Sequence, residues 1–126
     1  MHSGRIEPCC PAKLDLKSRA LLKEEQAASL TLTFKILASG TRLRILHALV
    51  LAEEVCVSDL ANMLGLKPTA VSNQLQRLAL SGIIEPRRDG NQVIYRIVDP
   101  CVVKLLDSAW CLTEEARAQP RKRCKK

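Results

Sequence analysis

Cysteine is the residue type in this 126-residue sequence best suited to chemistry, because a thiolate binds soft metal ions and can be oxidised reversibly. The chain has six cysteines, at positions 9, 10, 56, 101, 111 and 124. In a small secreted protein such a number indicates a disulfide framework. Here the N-terminus lacks the apolar core of an export signal, and 47% of the residues are hydrophobic, enough to fold without cross-links. We therefore expect reduced thiols used for metal or redox chemistry.

Three of the thiols form the principal candidate metal site. Cys9 and Cys10 are adjacent and lie in a Pro-containing segment, residues 1–13, which we interpret as a flexible arm. Cys56 lies just before the predicted helix-turn-helix, where the N-terminal amides of a helix favour a thiolate. If the arm folds over Cys56, in the same or the other subunit, the three sulfurs form a soft ligand set. Such a set suits Hg(II), As(III), Cd(II) or Pb(II) better than harder ions.

Cys101 and Cys111 are secondary metal-ligand candidates. On one helix, their spacing of ten residues separates them by about 15 Å along the axis and about 80° around it. Two thiols of one chain so placed cannot bind the same ion, but each could act across a dimer axis or meet the arm. Cys124 lies in a basic tail, residues 119–126, and has no evident partner.

The first half of the chain predicts helices. Residues 14–38 contain neither Pro nor Gly and predict one long or twice-broken helix. Thr41 is a candidate N-cap for a helix over residues 42 to about 51. Its apolar face would comprise Leu43, Leu46 and Val50.

The middle of the chain predicts two short helices separated by a glycine turn. Ser58 is a candidate N-cap for residues 59–64, and Gly65 would end that helix in the left-handed conformation. The next helix would open at Lys67-Pro68 or Thr69 and stop at Ser81-Gly82.

A β-hairpin and a final helix complete the predicted domain, residues 14–118. Two β-favouring runs, residues 83–88 and 92–98, flank Asp89-Gly90-Asn91, a strong hairpin signal. Residues 101 to about 118 then form a helix started by Asp99-Pro100. Helix, turn, helix and hairpin in this order define a winged helix-turn-helix, so we predict a mainly α fold with a β-hairpin wing.

The second helix of this unit is predicted to enter the major groove of double-stranded DNA. Its apolar positions would face inward and leave a polar face of hydrogen-bonding side chains, with Gln74 at the boundary. The candidate DNA-binding residues on this helix are Thr69, Ser72, Asn73, Gln74, Gln76 and Arg77. The wing adds Arg87, Arg88 and Arg96, in a segment where five basic residues face two acidic ones.

Composition excludes other classes of protein. Aromatic residues make up only 2% of the chain, which disfavours single-strand binding by base stacking. The longest uninterrupted apolar run, residues 48–52, is far shorter than the roughly 20 residues of a membrane span. Much of the net charge of +7 lies in the last six residues, as in a solvated tail. We expect a cytoplasmic protein that is not an enzyme, because no catalytic base is paired with a cysteine.

The motifs in this order resemble the ArsR/SmtB family of metal-responsive repressors. The segments that carry the resemblance are Thr41-Arg42-Leu43-Arg44-Ile45-Leu46, Glu54-Val55-Cys56-Val57-Ser58-Asp59-Leu60-Ala61, Ala70-Val71-Ser72-Asn73-Gln74-Leu75 and Arg88-Asp89-Gly90-Asn91-Gln92-Val93-Ile94-Tyr95. The resemblance implies a homodimer joined by the first and last helices, which binds operator DNA and releases it when an inducer binds.

The segment from Glu54 to Ala61, which resembles the family's metal box, departs from the family in one respect that bears on the inducer. The family commonly has Cys-x-Cys there, whereas this chain has Ser58 at the second position. Members with an N-terminal cysteine pair and one metal-box cysteine sense thiophilic ions, so the resemblance also implies Cys9, Cys10 and Cys56 as ligands. The sequence therefore predicts a repressor released by Hg(II) or As(III), slightly ahead of Cd(II) and Pb(II), with no small organic substrate. The alternative is a redox or persulfide switch on the same fold.

Overall fold

The computed structural model describes residues 13–118, in which five α-helices surround or flank a small antiparallel sheet. The elements in chain order are α1 (Glu24–Leu37), α2 (Gly40–Ala52), β1 (Val55–Cys56), α3 (Val57–Leu64), α4 (Pro68–Leu80), β2 (Ile84–Asp89), β3 (Gln92–Ile97) and α5 (Pro100–Ala118). The predicted fold class, mainly helical with a β-hairpin wing, is confirmed. Most of the predicted arm, including Cys9 and Cys10, and the predicted tail, residues 119–126, lie outside the described residues.

The start of the domain differs from the helix predicted over residues 14–38. Helix α1 begins only at Glu24, and a short 3-10 turn, Leu16–Ser18, precedes it. The Asp15 carboxylate accepts a hydrogen bond from the Ser18 N–H at 3.0 Å and so closes this turn before an α-helix can begin. The absence of Pro and Gly therefore permitted a helix here without requiring one.

The N-cap of α2 is Ser39. The sequence predicted Thr41 at this position. Ser39 has an extended backbone, with φ −152°, and its Oγ accepts the Arg42 N–H at 3.3 Å. A capping hydroxyl needs this non-helical backbone, whereas Thr41 is already within the helix.

The hydrophobic core lies between α2, α3, α4 and the hairpin. Its fully buried side chains are Ile45, Leu46, Leu49, Leu60, Val71, Leu75, Leu78 and Ile84. The predicted apolar face of α2 was wrong at two of its three positions, because Leu43 and Val50 are 39% and 38% exposed. Helix α2 is apolar around most of its circumference, so periodicity alone could not select the face that α3, α4 and β3 cover.

Helices α3 and α4 form the predicted helix-turn-helix. Gly65 ends α3 with φ +69°. Glycine adopts this left-handed conformation at little cost because it has no Cβ atom. Pro68 occupies the first turn of α4. The beginning of α3 differs from the prediction. It starts at Val57, so its N-cap is Cys56, and Ser58 lies inside the first turn.

The sheet has the strand order β1-β3-β2, with both pairs antiparallel. Strands β2 and β3 form the predicted wing, in which Asp89 pairs with Gln92 around a two-residue Gly90-Asn91 turn. Gly90 has φ +66°, as the first central position of such a tight hairpin turn requires. Strand β1 was not predicted, because two residues are too few for an alternating pattern.

Helix α5 runs from Pro100 to Ala118, as predicted, and the Asp99 carboxylate accepts the Cys101 N–H at 2.8 Å. Its first half packs against the core through Val102, Leu105 and Leu106, while no residue of α5 is fully buried. No helix within residues 13–118 combines the length and apolar character needed to cross a membrane.

Candidate DNA interface and thiol site

Helix α4 has the two faces that the sequence predicted. Val71, Leu75 and Leu78 are completely buried and fix the helix on the core. The opposite face consists of the exposed side chains Thr69, Asn73, Gln76 and Arg77, with Ser72 half-buried beside them. An exposed helix with this set of donors and acceptors fits a major groove and can contact base edges and phosphates.

Gln74, at the boundary of the two faces, is hydrogen-bonded to an arginine of the neighbouring helix α2. Its Oε1 accepts a hydrogen bond from Nη1 of Arg42 in α2, at 2.7 Å. The side chain is half-buried, whereas Asn73 and Gln76, on either side of it in the sequence, are exposed.

The three wing arginines predicted to bind DNA have different surroundings. Arg87 forms an ion pair with Glu54 at 2.8 Å, and Arg96 forms one with Glu85 at 2.6 Å. Arg88 is exposed and forms no salt bridge with any residue in the described range 13–118. Because the paired side chains are about half exposed, these ion pairs are weak and can yield to phosphates.

Cys56 lies at the junction of the wing and the helix-turn-helix. It is the last residue of β1, where it pairs with Ile94 of the wing strand β3, and it is also the N-cap of α3. The thiol is free and buried, with 7% of the residue exposed. Its Sγ lies 3.5 Å from the hydroxyl of Ser58, so Ser58 is the polar group beside the sulfur.

The other candidate ligands are not gathered around Cys56. Cys111 is a free, exposed thiol in the second half of α5. Cys101, half-buried in the first turn of that helix, is disulfide-bonded, so the expectation of reduced thiols is wrong at this position. Both lie on one continuous helix, so the axial separation of about 15 Å applies. Residues 13–118 contain no group of three or more His, Cys, Asp or Glu side chains placed to hold one ion.

Three charged residues connect elements in ways that the sequence analysis missed. Arg42 links α2 to Gln74, Arg44 Nη1 approaches the Leu64 carbonyl at the end of α3 at 3.5 Å, and Glu54 pairs with Arg87. The sequence signal was two arginines within a mostly apolar helix. Spacing could not identify their partners, which lie 20 or more residues further along the chain.

Comparison with known proteins agrees with this geometry. The model of the bacterial regulatory protein arsR family matches residues 39–85, from the N-cap of α2 to the start of β2. The cadmium resistance transcriptional regulatory protein CadC of Listeria innocua is 31% identical over 102 residues, which cover 81% of this chain and 86% of CadC.

Two solved structures are similar over most of their length. The antimony-specific transcriptional repressor AntR is 50% identical, with a TM-score of 0.73, over 87% of this chain and 99% of AntR. A homodimeric winged helix-turn-helix DNA-binding domain from Mycobacterium bovis, a possible ArsR-family regulator, is 33% identical, with a TM-score of 0.64, over 77% of this chain and 92% of that chain. These relatives are transcriptional regulators and not enzymes, in agreement with the sequence. The chain belongs to the ArsR family of bacterial regulatory proteins.

Proposed function

We propose that this protein is a cytoplasmic, homodimeric repressor that binds operator DNA through α4 and the wing and releases it when cysteine thiolates bind a thiophilic metal or metalloid ion. The observation that carries the proposal is the position of Cys56. Its backbone belongs to β1, which pairs with the wing strand β3, and it is the N-cap of α3, which packs against α4, so a single thiol is adjacent to both units proposed to contact DNA.

The backbone pairing of β1, which contains Cys56, indicates how a small ligand can act on DNA binding. Val55 and Cys56 pair with Tyr95 and Ile94 of β3, so a displacement of β1 also displaces the wing strand. The same displacement moves the first turn of α3, and helix α3 packs against α4. Because the core around these elements is closely packed, it favours a shift between discrete arrangements over gradual deformation.

Sulfur donors at this site fit soft ions by their chemistry. Cys56 supplies one thiolate, and the arm, residues 1–13, supplies Cys9 and Cys10 in this proposal. Cys111, a free thiol, remains a secondary ligand that would act across the dimer or meet the arm, and Cys101, which is disulfide-bonded, joins it only in the reduced protein. Ser58, 3.5 Å from the Cys56 sulfur, is a weaker donor for a soft ion than the thiolate commonly found at that position in the family.

The dimer is supported by the apolar surface of the first and last helices. The large hydrophobic side chains exposed on α1 and α5 are Leu30, Leu32, Phe34, Trp110 and Leu112. A monomer that left these residues in water would lose the free energy of burying them, so we infer that a second copy covers them. The homodimeric domain from M. bovis, with the same fold, supports this arrangement.

The relatives add one ion to those predicted from the sequence. AntR is named as antimony-specific, so Sb(III) joins Hg(II), As(III), Cd(II) and Pb(II) in the panel, and the cadmium-resistance name of CadC supports keeping Cd(II). Three thiolates suit trivalent metalloids and Hg(II), which accept low coordination numbers. We therefore place As(III), Sb(III) and Hg(II) ahead of Cd(II) and Pb(II).

The experiment is fluorescence anisotropy of the reduced protein on a labelled duplex from upstream of its own gene, under nitrogen. Each ion is titrated in turn, with Zn(II) as the control for a harder ion. We expect a thiophilic ion to weaken operator binding about a hundredfold, which corresponds to a coupling free energy of about 2.7 kcal/mol.

The outcomes separate the proposal from its main competitor. Release by thiophilic ions under strict reduction supports a metal sensor. Tight binding that ignores every ion but is lost with peroxide or persulfide would replace it with a thiol redox switch. Absence of binding to this duplex and to a random operator library would contradict the proposed DNA binding itself.

A further inference from the structure

We propose that Arg42 is a positioning residue for DNA recognition, which orients the side chain of Gln74 in α4 and ties it to the end of α1. The inference deepens the proposed function and rests on its operator binding. It concerns a side chain of α2, which lies neither in α4, the proposed recognition helix, nor at the thiol site.

Arg42 makes two short hydrogen bonds in different directions. Its Nε donates to the Ile36 carbonyl at 2.6 Å, and its Nη1 donates to Gln74 Oε1 at 2.7 Å. Both distances are at the short end of the range for N–H···O bonds, as expected when the donor is charged. The guanidinium is half-buried, so water competes less with these bonds than it would at the surface.

The chemistry of the guanidinium fixes the orientation of the Gln74 amide. Arginine has only N–H donors, so the atom that it contacts must be the carbonyl oxygen Oε1. The NH2 group, Nε2, is then the part of the amide left to contact DNA. A donor in the major groove matches an acceptor, such as O6 or N7 of guanine, N7 of adenine or O4 of thymine.

The second bond of Arg42 connects this orientation to α1. Ile36 belongs to the last turn of α1, where carbonyl groups have no partner within the helix and a cation is favourable. Helix α1 also carries the exposed Leu32 and Phe34 of the proposed dimer face. A change in the position of α1 therefore reaches the recognition helix through one side chain.

Arg44 offers a matched control within the same helix. It is also an arginine of α2 and also approaches a helix-terminal carbonyl, that of Leu64, but it makes no contact with Gln74. Gln76 is the corresponding control for Gln74, because it lies in α4 but is exposed.

The test is a double-mutant cycle on operator affinity, measured by anisotropy in the ion-free protein. Arg42→Met and Gln74→Met are each expected to weaken binding about tenfold. In the Gln74→Met background, Arg42→Met should cost less than about twofold more, because it acts through Gln74. Arg44→Met should cost the same in both backgrounds, and Gln76→Met should leave the effect of Arg42→Met unchanged.

An NMR measurement tests the link without DNA and covers the case in which Arg42→Met does not fold. In the free wild-type protein, the Gln74 side-chain NH2 resonances should be shifted from those of the exposed Gln76 and Gln92. Arg42→Lys, which keeps the charge but not the two-directional fork, should move the Gln74 pair toward the exposed values.

Two results would overturn the inference. One is an Arg42→Met effect of equal size with and without Gln74, and the other is a Gln74 NH2 pair that coincides with those of exposed glutamines in the wild type. A wild-type protein that binds its operator but is released by no ion would contradict the proposed function alone. The cycle, measured without ions, would still decide the role of Arg42.

Discussion

The two halves of this molecule bury their apolar residues in different ways. Helices α2, α3 and α4 and the hairpin enclose a core in which eight large side chains are completely buried. Helix α1 contributes only Leu37 as a buried residue, and α5 contributes none. The half proposed to contact DNA thus has its core within one chain, whereas the outer helices expose apolar side chains that a second copy covers in the proposed dimer.

The same contrast separates the thiols. Cys56 belongs to the self-contained half, where it is buried and paired to the wing strand. Cys111 belongs to the outer half and is exposed on α5. A ligand at Cys56 would act directly on the DNA-contacting elements, whereas a ligand on α5 would act first on the dimer.

Removing a core side chain is expected to have the largest effect. Leu75→Ala, at a completely buried position of α4, should lower the free energy of unfolding by about 3 kcal/mol, through lost burial and the cavity that remains. Urea denaturation followed by circular dichroism measures this change. The control is Leu80→Ala, at a 90% exposed position of the same helix, which should cost less than about 0.5 kcal/mol. Equal losses for the two variants would contradict the assignment of the Leu75 face of α4 to the core.

Cys56→Ser tests which half contains the ion-responsive thiol. The variant should bind operator as the wild type does but lose its release by ion, a hundredfold effect that corresponds to about 2.7 kcal/mol. Cys111→Ser should keep most of the release. Anisotropy with and without the inducing ion measures both. The opposite pattern would move the site to α5, and loss of operator binding by Cys56→Ser would make Cys56 a structural residue.

Trp110→Ala tests the outer half. Trp110 is 58% exposed on α5, and its loss should weaken the dimer about thirtyfold, or about 2 kcal/mol, as for an aromatic anchor of an interface. Sedimentation equilibrium measures the dissociation constant. Leu51→Ala, at a 68% exposed position of α2, is the control outside the proposed face. An unchanged dimer in the Trp110 variant would exclude this part of α5 from the interface.

Arg88→Ala should have the smallest effect of the four. Arg88 is exposed and unpaired within residues 13–118, so we expect it to contact a phosphate. Its loss should weaken operator binding by about 1 kcal/mol and reduce the salt dependence by about one phosphate contact. Arg87→Ala should do less, because the wild type must first give up the Glu54 ion pair. A larger effect for Arg87 would show that its ion pair does not compete with DNA.

Strong local signals made most of the fold predictable. Gly65 marked the end of α3, Pro68 the start of α4, and Asp89-Gly90 the wing turn, because few residues satisfy the backbone conformations at these positions. The inward positions of α4 were also correct, since a helix with one polar face leaves little choice. The N-caps predicted at Thr41 and Ser58 were each wrong by two residues. At α2 two hydroxyl groups, those of Ser39 and Thr41, lie near the helix start, and at α3 the N-cap is Cys56, which makes no side-chain capping hydrogen bond.

The residue types of the candidate site could be predicted from the sequence, but the contacts between those residues and other elements could not. The sequence identified Cys56 and the polar residues of α4 as candidates, and the structure places Cys56 beside the wing and four of the polar residues on an exposed face. It could not show that Cys56 pairs with Ile94, 38 positions away, or that Arg42 holds Gln74. Such contacts depend on how α2, α4 and the hairpin pack together.

The sequence by itself therefore determined the order of the elements, the family and the soft character of the candidate ligands. These depend on local backbone preferences, on motif order and on the chemistry of sulfur. Tertiary structure decided which face of α2 is buried, which wing arginine is unpaired and how α1 is linked to the recognition helix. Long-range packing selects one arrangement among several that local preferences allow almost equally.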